Sequence, residues 1–395
     1  MLWKAIEWLS FYYLTVMGTK QMLDDIAEVV RKGDEQGNHM TVRFRLPSGL
    51  EIWGLPTENA YGGEWDLGPT WNYLVFDDKT FLVDTGKSGM ARKLLEMTES
   101  TGISNSDLDF VILSHGHEDH DGGLTEIVKT THARVKAHWI YDRLIRFYPE
   151  QAPADHRKSF PATCWRCFMP ESFSNEHCLL YQQERSRLTI EEISDGNSKL
   201  SQNTQTYHLP GHSPDSIAIV VNDEAIIVGD TVLPDITPIP SREDFFEDVR
   251  EILKPHISTA HAVYGLRAYI RSLKQLRKIG AKSPDLLILP AHRFFYKNHW
   301  NEINLKARID ELIDHHIERC ADVLRILKQG PKTAKDVAVE HFEQPLLKGF
   351  GIMMAENEII SHCELLIAFQ DVVVEKDGRF AATGSSNFES AIPSL

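Results

Sequence analysis

Basic residues are scarce in this 395-residue chain, where 42 Lys and Arg face 57 Asp and Glu for a formal net charge of −15. That balance repels polyphosphate at long range and disfavours a nucleic-acid partner, so a small-molecule substrate fits better. Cysteine is scarce as well: five in a chain of this length do not make a disulfide framework, and reduced thiols are expected. No apolar run reaches the roughly 20 residues that span a bilayer. No basic, then apolar, then small-residue leader opens the chain, which sets the expectation at a cytoplasmic location. A Gly-x-Ser-x-Gly elbow is also missing, which disfavours a serine nucleophile.

What is present is organised in three parts. Residues 1–38 read as an N-terminal helical extension, in which the aromatic stretch from Trp8 to Met17 packs on the domain or on a second copy of the chain. Residues 39–300 alternate short strands and helices. The strands include Thr41 to Leu46, Glu51 to Leu55, Asn72 to Phe76, Thr80 to Val83 and Asp109 to Leu113. An irregular stretch of about 149–190, rich in Pro, aromatics and cysteine, reads as an inserted lid. Residues 301–395 hold three predicted helices and a small hairpin through Lys376-Asp377-Gly378, a winged-helix-like module and a second candidate for homodimer contact.

The densest chemistry lies in Ser114-His115-Gly116-His117-Glu118-Asp119-His120, directly after the apolar Phe110-Val111-Ile112-Leu113. Imidazoles and carboxylates crowded at a strand end need partners, and neutral imidazole is a good ligand for divalent transition metals. His115 and His117 are two apart, so an extended segment turns both to one side, while Asp119 and His120 follow on the turn and can face a second ion. Two ions need further ligands, one of them a shared carboxylate. Three short apolar strands each end on a candidate: Gly211-His212, Gly229-Asp230 and Ala291-His292. Asp119 suits a double role as ligand and proton handler.

The series His-x-His-x-Asp-His, Gly-His, Gly-Asp and a last His resembles the metallo-beta-lactamase superfamily over about residues 40–300. The resemblance implies an α+β fold, an αββα sandwich of two sheets faced by helices. It implies His115, His117 and His212 on one metal, Asp119, His120 and His292 on the other, and Asp230 bridging. Asp84, in Val83-Asp84-Thr85-Gly86, matches the outer support for the metal ligands. The chain departs at Pro290-Ala291-His292, where many members carry Pro-Gly-His. The C-terminal pattern is similar to the winged-helix domain of a subgroup that includes a beta-lactamase-like endoribonuclease, fungal acyl-carrier thioesterases and glyoxalase II-like enzymes.

These readings predict a metal-dependent hydrolase with two divalent ions, zinc first and manganese or iron compatible, whose shared hydroxide cleaves a small, partly apolar ester, lactone or thioester. A phosphodiesterase or endoribonuclease with the same metals is the alternative, kept open by a basic helix face at Arg267, Arg271, Lys274, Arg277 and Lys278. A non-catalytic metal-containing sensor or binding protein is the third reading. Cys164, Cys167, His177 and Cys178 have the types and spacing of a structural zinc site, although the adjacent His177-Cys178 pair strains tetrahedral closure. His208 reads as a core or supporting histidine rather than a ligand of the main cluster. His315 and His316 read as surface or substrate-lining residues, and Tyr264, Arg267 and Arg293 as candidates for the pocket wall.

Overall fold

A computed structural model describes residues 23, 25–60, 66–146, 184–349 and 351–395. The N-terminal aromatic stretch, most of the inserted segment and the Cys164, Cys167, His177 and Cys178 group lie outside the described residues. Among the described residues no helix is long and apolar enough to cross a membrane.

Eight strands build the first sheet in chain order: β1 (Ala27–Arg31), β2 (Thr41–Arg45), β3 (Glu51–Thr57), β4 (Thr70–Phe76), β5 (Thr80–Val83), β6 (Phe110–Ile112), β7 (Arg134–His138) and β8 (Ile190–Ile193). Pairing is antiparallel up to β5 and parallel from β5 to β8. The second sheet comprises β9 (Asn197–Lys199), β10 (Thr204–His208), β11 (Ile217–Val221), β12 (Ala225–Gly229) and β13 (Leu287–Pro290), with only β12 and β13 parallel. Within the stretch expected to be helical before residue 39, Ala27–Arg31 is instead an edge strand. Its Val29 and Val30 follow strand rather than helix preference once β2 offers a ladder.

Period-two alternation decides what each strand faces. Phe81 and Val83 point inward with Ile217, Ile219 and Val221, and together with Phe44, Tyr73, Phe110 and Leu289 they fill the space between the sheets. The rings of Phe81 and Phe110 stack at 4.7 Å across the parallel pair. Leu82 and Val111 point the other way, onto α1 (Ala91–Glu99) and α2 (Leu124–Thr131) through Leu94, Leu95, Leu124 and Ile127. Next along the chain are α3 (Trp139–Arg146) and α4 (Phe245–Leu253), which pack on each other through Ile140, Leu144, Phe246 and Val249. On the second sheet Ala218, Val220, Ile226 and Val228 face outward onto α5 (Gly265–Gly280). The order helix, sheet, sheet, helix follows from these faces, since each must be covered. Burying one Leu or Ile side chain contributes about 1.5–3 kcal/mol.

After a short hairpin, β14 (Phe295–Tyr296) and β15 (His299–Trp300), the chain turns helical: α6 (Leu305–Leu327), α7 (Ala334–His341) and α8 (Gly351–Ala368). Thr333 and Asp336 form the capping box that starts α7. A second hairpin, β16 (Val372–Val374) with β17 (Phe380–Ala382), is extended by a bridge from Lys332 to Phe380. The helices share one apolar core with the outer face of the second sheet: Ile309, Leu312 and Val323 meet Ile359, Leu365 and Leu366 in the cluster that also holds Ile270 and Ile288. His316 sits on this apolar stripe and is buried, not at the surface. Its Nδ1–H donates to His362 Nε2 at 3.0 Å.

Candidate metal centre

Every candidate ligand follows a strand, at the end where parallel and antiparallel ladders both stop and backbone turns bring side chains together. β6 delivers Ser114 and His115; His117 leads into a one-turn helix, Glu118–Asp121, that carries Asp119 and His120. β10 leads to His212, β12 to Asp230 and β13 to His292. Two glycines permit the approach. Gly211 has φ +135° and a Cβ there would lie 2.3 Å from the Tyr269 backbone; Gly229 has φ +52° and leaves 3.1 Å to Ser114 Oγ.

Two groups of nitrogen and oxygen atoms result. His115 Nε2 and His212 Nε2 each lie 3.1 Å from His117 Nδ1. On the other side His292 Nε2 is 3.2 Å from Asp119 Oδ2, and His120 Nε2 is 3.7 Å from the same oxygen. Asp230 stands between: its Oδ1 is 3.4 Å from His292 Nε2 and 3.6 Å from His120 Nε2, and its Oδ2 is 3.5 Å from His212 Nε2.

The outward nitrogens fix which ring atoms face the centre. His212 Nδ1–H donates to Ile239 O at 2.9 Å and His292 Nδ1–H to Pro69 O at 3.2 Å. His120 Nδ1–H donates to Asp84 Oδ2 at 2.9 Å. The Nε2 lone pairs of all three therefore point inward, as a metal-binding histidine requires. Asp84, itself in a left-handed conformation at φ +63°, also accepts from Ser114 N and Ser114 Oγ at 2.7 Å each. It thereby ties the strand end carrying His115 to the ring of His120.

Charge tells the same story. Burial and the surrounding imidazoles push His115 well below its ordinary value. Burial opposes charge on His292, yet Asp230 and Asp119 hold it up at about 9. Asp230 stays well below the carboxylate range, against its burial, because His292 and His120 flank it. Two buried carboxylates thus draw positive charge into the site. His120 Nε2, His292 Nε2 and Asp230 Oδ1 are buried and have no hydrogen-bond partner, a costly arrangement without a cation among them. The donor set fits divalent transition metals, as three groups: His115, His117, His212; His115, His120, Asp230; and Asp119, His120, His292.

Asn59, absent from the sequence reading, belongs to this neighbourhood. It follows β3 and its Nδ2 donates to Asp119 Oδ2 at 3.0 Å. Its place just past the end of β3 is a weak signal, since asparagine after a strand is ordinary turn chemistry. Below the ligands, Tyr141 OH donates to Asp121 Oδ2 at 2.8 Å and the buried Arg185 pairs with the same carboxylate. Burial pushes Asp121 up to about 6 while Arg185 and Tyr141 pull it down. Beside Asn59 opens a cavity of about 580 Å³ with an acidic wall of Asp34, Glu35, Glu58 and Asp66.

Other candidates take different places. Arg267 is ion-paired to Glu243 at 2.6 Å, and Arg293 to Asp235 at 3.0 Å while lying over the Tyr296 ring. Tyr264 is fully buried rather than on a pocket wall, in the apolar cluster shared by α3 and α4, with its ring 6.3 Å from that of Phe246. Cys320 and Cys363 are free and buried.

The family signature of the metallo-beta-lactamase superfamily matches residues 65–292. Of solved structures, a metallo-beta-lactamase family protein from Thermus thermophilus superposes with a TM-score of 0.57 at 21% identity, covering 84% of this chain and 98% of that one. A beta-lactamase domain protein from Burkholderia ambifaria gives 0.58 at 20% identity, covering 86% and 93%. The chain is also 25% identical over 176 residues to the beta-lactamase-like protein 2 homolog of Drosophila melanogaster, a match spanning 45% of this chain and half of the fly protein. The chain belongs to the metallo-beta-lactamase superfamily, a family of mainly hydrolytic metalloenzymes.

Proposed function

We propose that this protein is a binuclear metal-dependent hydrolase acting on an ester, lactone or thioester of a small, partly apolar substrate. His115, His117 and His212 would hold one ion, Asp119, His120 and His292 the other, and Asp230 both. When bound, two such ions supply Lewis acidity that activates water near neutral pH and polarises a carbonyl. The observation that carries this reading is Asp230, which turns one oxygen to each half of the site.

The chain's own residues do the rest. Asp84 holds His120 in the tautomer that leaves Nε2 free, and Asn59 fixes the Oδ2 of Asp119. Asp119 is placed to accept and return a proton beside the substrate. The acidic wall of the adjoining cavity disfavours polyanions, since like charges repel an approaching phosphate chain. Four of the five residues on the basic face that kept a nuclease reading open are engaged within the chain: Arg267 on Glu243, Arg271 on His261 O, Lys274 on Ile392 O at 2.6 Å and Arg277 on Asp310. Zinc and the division into a catalytic and a winged-helix-like domain belong to the same proposal.

Assay of the zinc-loaded full chain against lactones, acyl thioesters, phosphodiesters and single-stranded RNA tests it. Turnover confined to the carbonyl substrates is expected. Turnover of RNA alone, or of nothing while the metal is retained, overturns the proposal.

A further inference from the structure

A second convergence of nitrogen and oxygen donors lies apart from the main centre, where the two sheets meet at their edges. His138 ends β7 and Asp195 follows β8, both on the first sheet; His208 ends β10 of the second. The two imidazoles stack with centroids 3.8 Å apart and planes at 17°. Asp195 Oδ1 lies 3.0 Å from His138 Nε2 and 3.4 Å from His208 Nδ1, and the three donor atoms fall within 4.8 Å of one another. Ligands of a tetrahedral zinc at about 2.0–2.1 Å sit about 3.3 Å from each other, so these separations suit one ion.

Two observations call for a cation there. His208 Nε2–H donates to Pro214 O at 2.7 Å, which leaves a lone pair on Nδ1 aimed at a carboxylate oxygen. Lone pair against anion is repulsive unless positive charge lies between, and a backbone carbonyl on the far nitrogen is the usual support of a metal-binding histidine. Independently, His138 Nε2 is fully buried and makes no aligned hydrogen bond, although Asp195 is close. Two features oppose the metal: the nearly parallel rings must splay for both in-plane lone pairs to meet one ion, and Ile140 N–H lies 3.4 Å from His138 Nδ1, at the long limit of a hydrogen bond, so its loss is small beside a zinc–imidazole bond.

We propose that His138 Nε2, Asp195 Oδ1 and His208 Nδ1 form a separate metal site that takes a divalent transition ion, zinc by ligand type, and clamps the two sheets together. Asp195, with 55% of its side chain exposed, gives the ion an entry path and room for a water as fourth ligand. The site shares no ligand with the main centre; His208 precedes His212 on the same strand exit.

Zinc per chain, measured by mass spectrometry after the zinc-loaded full chain is dialysed into metal-free buffer, tests the site. Asp195→Asn combined with His208→Gln should lower the count by one ion, however many the main centre keeps. Trp139→Phe, which removes the indole N–H that Asp195 accepts at 2.9 Å together with part of the ring but none of the three ligands, should leave the count unchanged. Equal counts in wild type and the double variant overturn the proposal. Should the double variant fail to fold, zinc-edge anomalous diffraction from wild-type crystals decides: a peak among the three atoms supports the site, and its absence at full zinc loading overturns it.

Discussion

Asp230 faces His212 and His292 with different oxygens, Oδ2 at 3.5 Å from His212 Nε2 and Oδ1 at 3.4 Å from His292 Nε2. A carboxylate so placed joins the two ligand groups. Asp230→Asn keeps the shape and removes the charge. The expected outcome is loss of at least one ion per chain and a fall in turnover beyond the roughly 10–100-fold cost of losing an outer support. Metal analysis beside the rate of ester hydrolysis checks it; an unchanged metal count would contradict the bridging role.

Asp84 and Asn59 act through other residues, so their removal should be milder. Asp84→Ala frees His120 Nδ1 and Ser114, and Asn59→Ala frees Asp119 Oδ2. Each should weaken metal affinity by about 10–100-fold with the fold intact, read by chelator competition. Asn59→Asp should be worse than Asn59→Ala, since it sets one carboxylate against another.

Gly211→Ala tests the backbone that aims His212. The added Cβ would meet the Cα and N of Tyr269 at 2.3 Å, backbone atoms of α5 that cannot rotate away, at a φ of +135°. Destabilisation on the order of 1–3 kcal/mol or more is expected, together with weaker metal binding as His212 shifts. Thermal melting and zinc titration report both; melting unchanged from wild type would refute the close contact.

The buried pair His316 and His362 should make stability depend on pH. Burial, then the Arg319 charge, hold His362 down at about 3, and His316 lies well below its ordinary value. An unfolded histidine titrates near 6.5, so the native state binds fewer protons than the unfolded one below that pH. The contribution is therefore complete above 6.5 and lost as pH falls toward 3, at up to about 1.4 kcal/mol per pH unit for each ring. His362→Gln should melt lower than wild type at pH 7.5 yet lose less on going to pH 5. Parallel pH profiles would exclude the pair as the source.

Much of the centre was legible because its residues follow short apolar strands: Leu286 to Leu289 before His292, Ala225 to Val228 before Asp230. Periodicity exposes the strand, and the polar residue after it stands out. Asn59 did not stand out, since asparagine after a strand is ordinary turn chemistry and only packing sets it against Asp119. β7 and α3 went unread because Arg134–His138 is short and half charged and passes straight into Trp139 with no turn signal. His138, Asp195 and His208 carry no shared spacing, being brought together by three strand ends of two sheets. His316, by contrast, was misread as a surface or substrate-lining residue although the signal was there: it lies in register with Ile309, Leu312 and Val323 on one face of α6.

Turnover as a function of metal bears most directly on the account. Chelator-stripped protein should show no hydrolysis of lactone, ester or thioester substrates, and return of zinc should restore it in the wild type but not in Asp230→Asn. Hydrolysis that persists in the stripped protein at the wild-type rate would contradict the metal centre as the seat of the reaction.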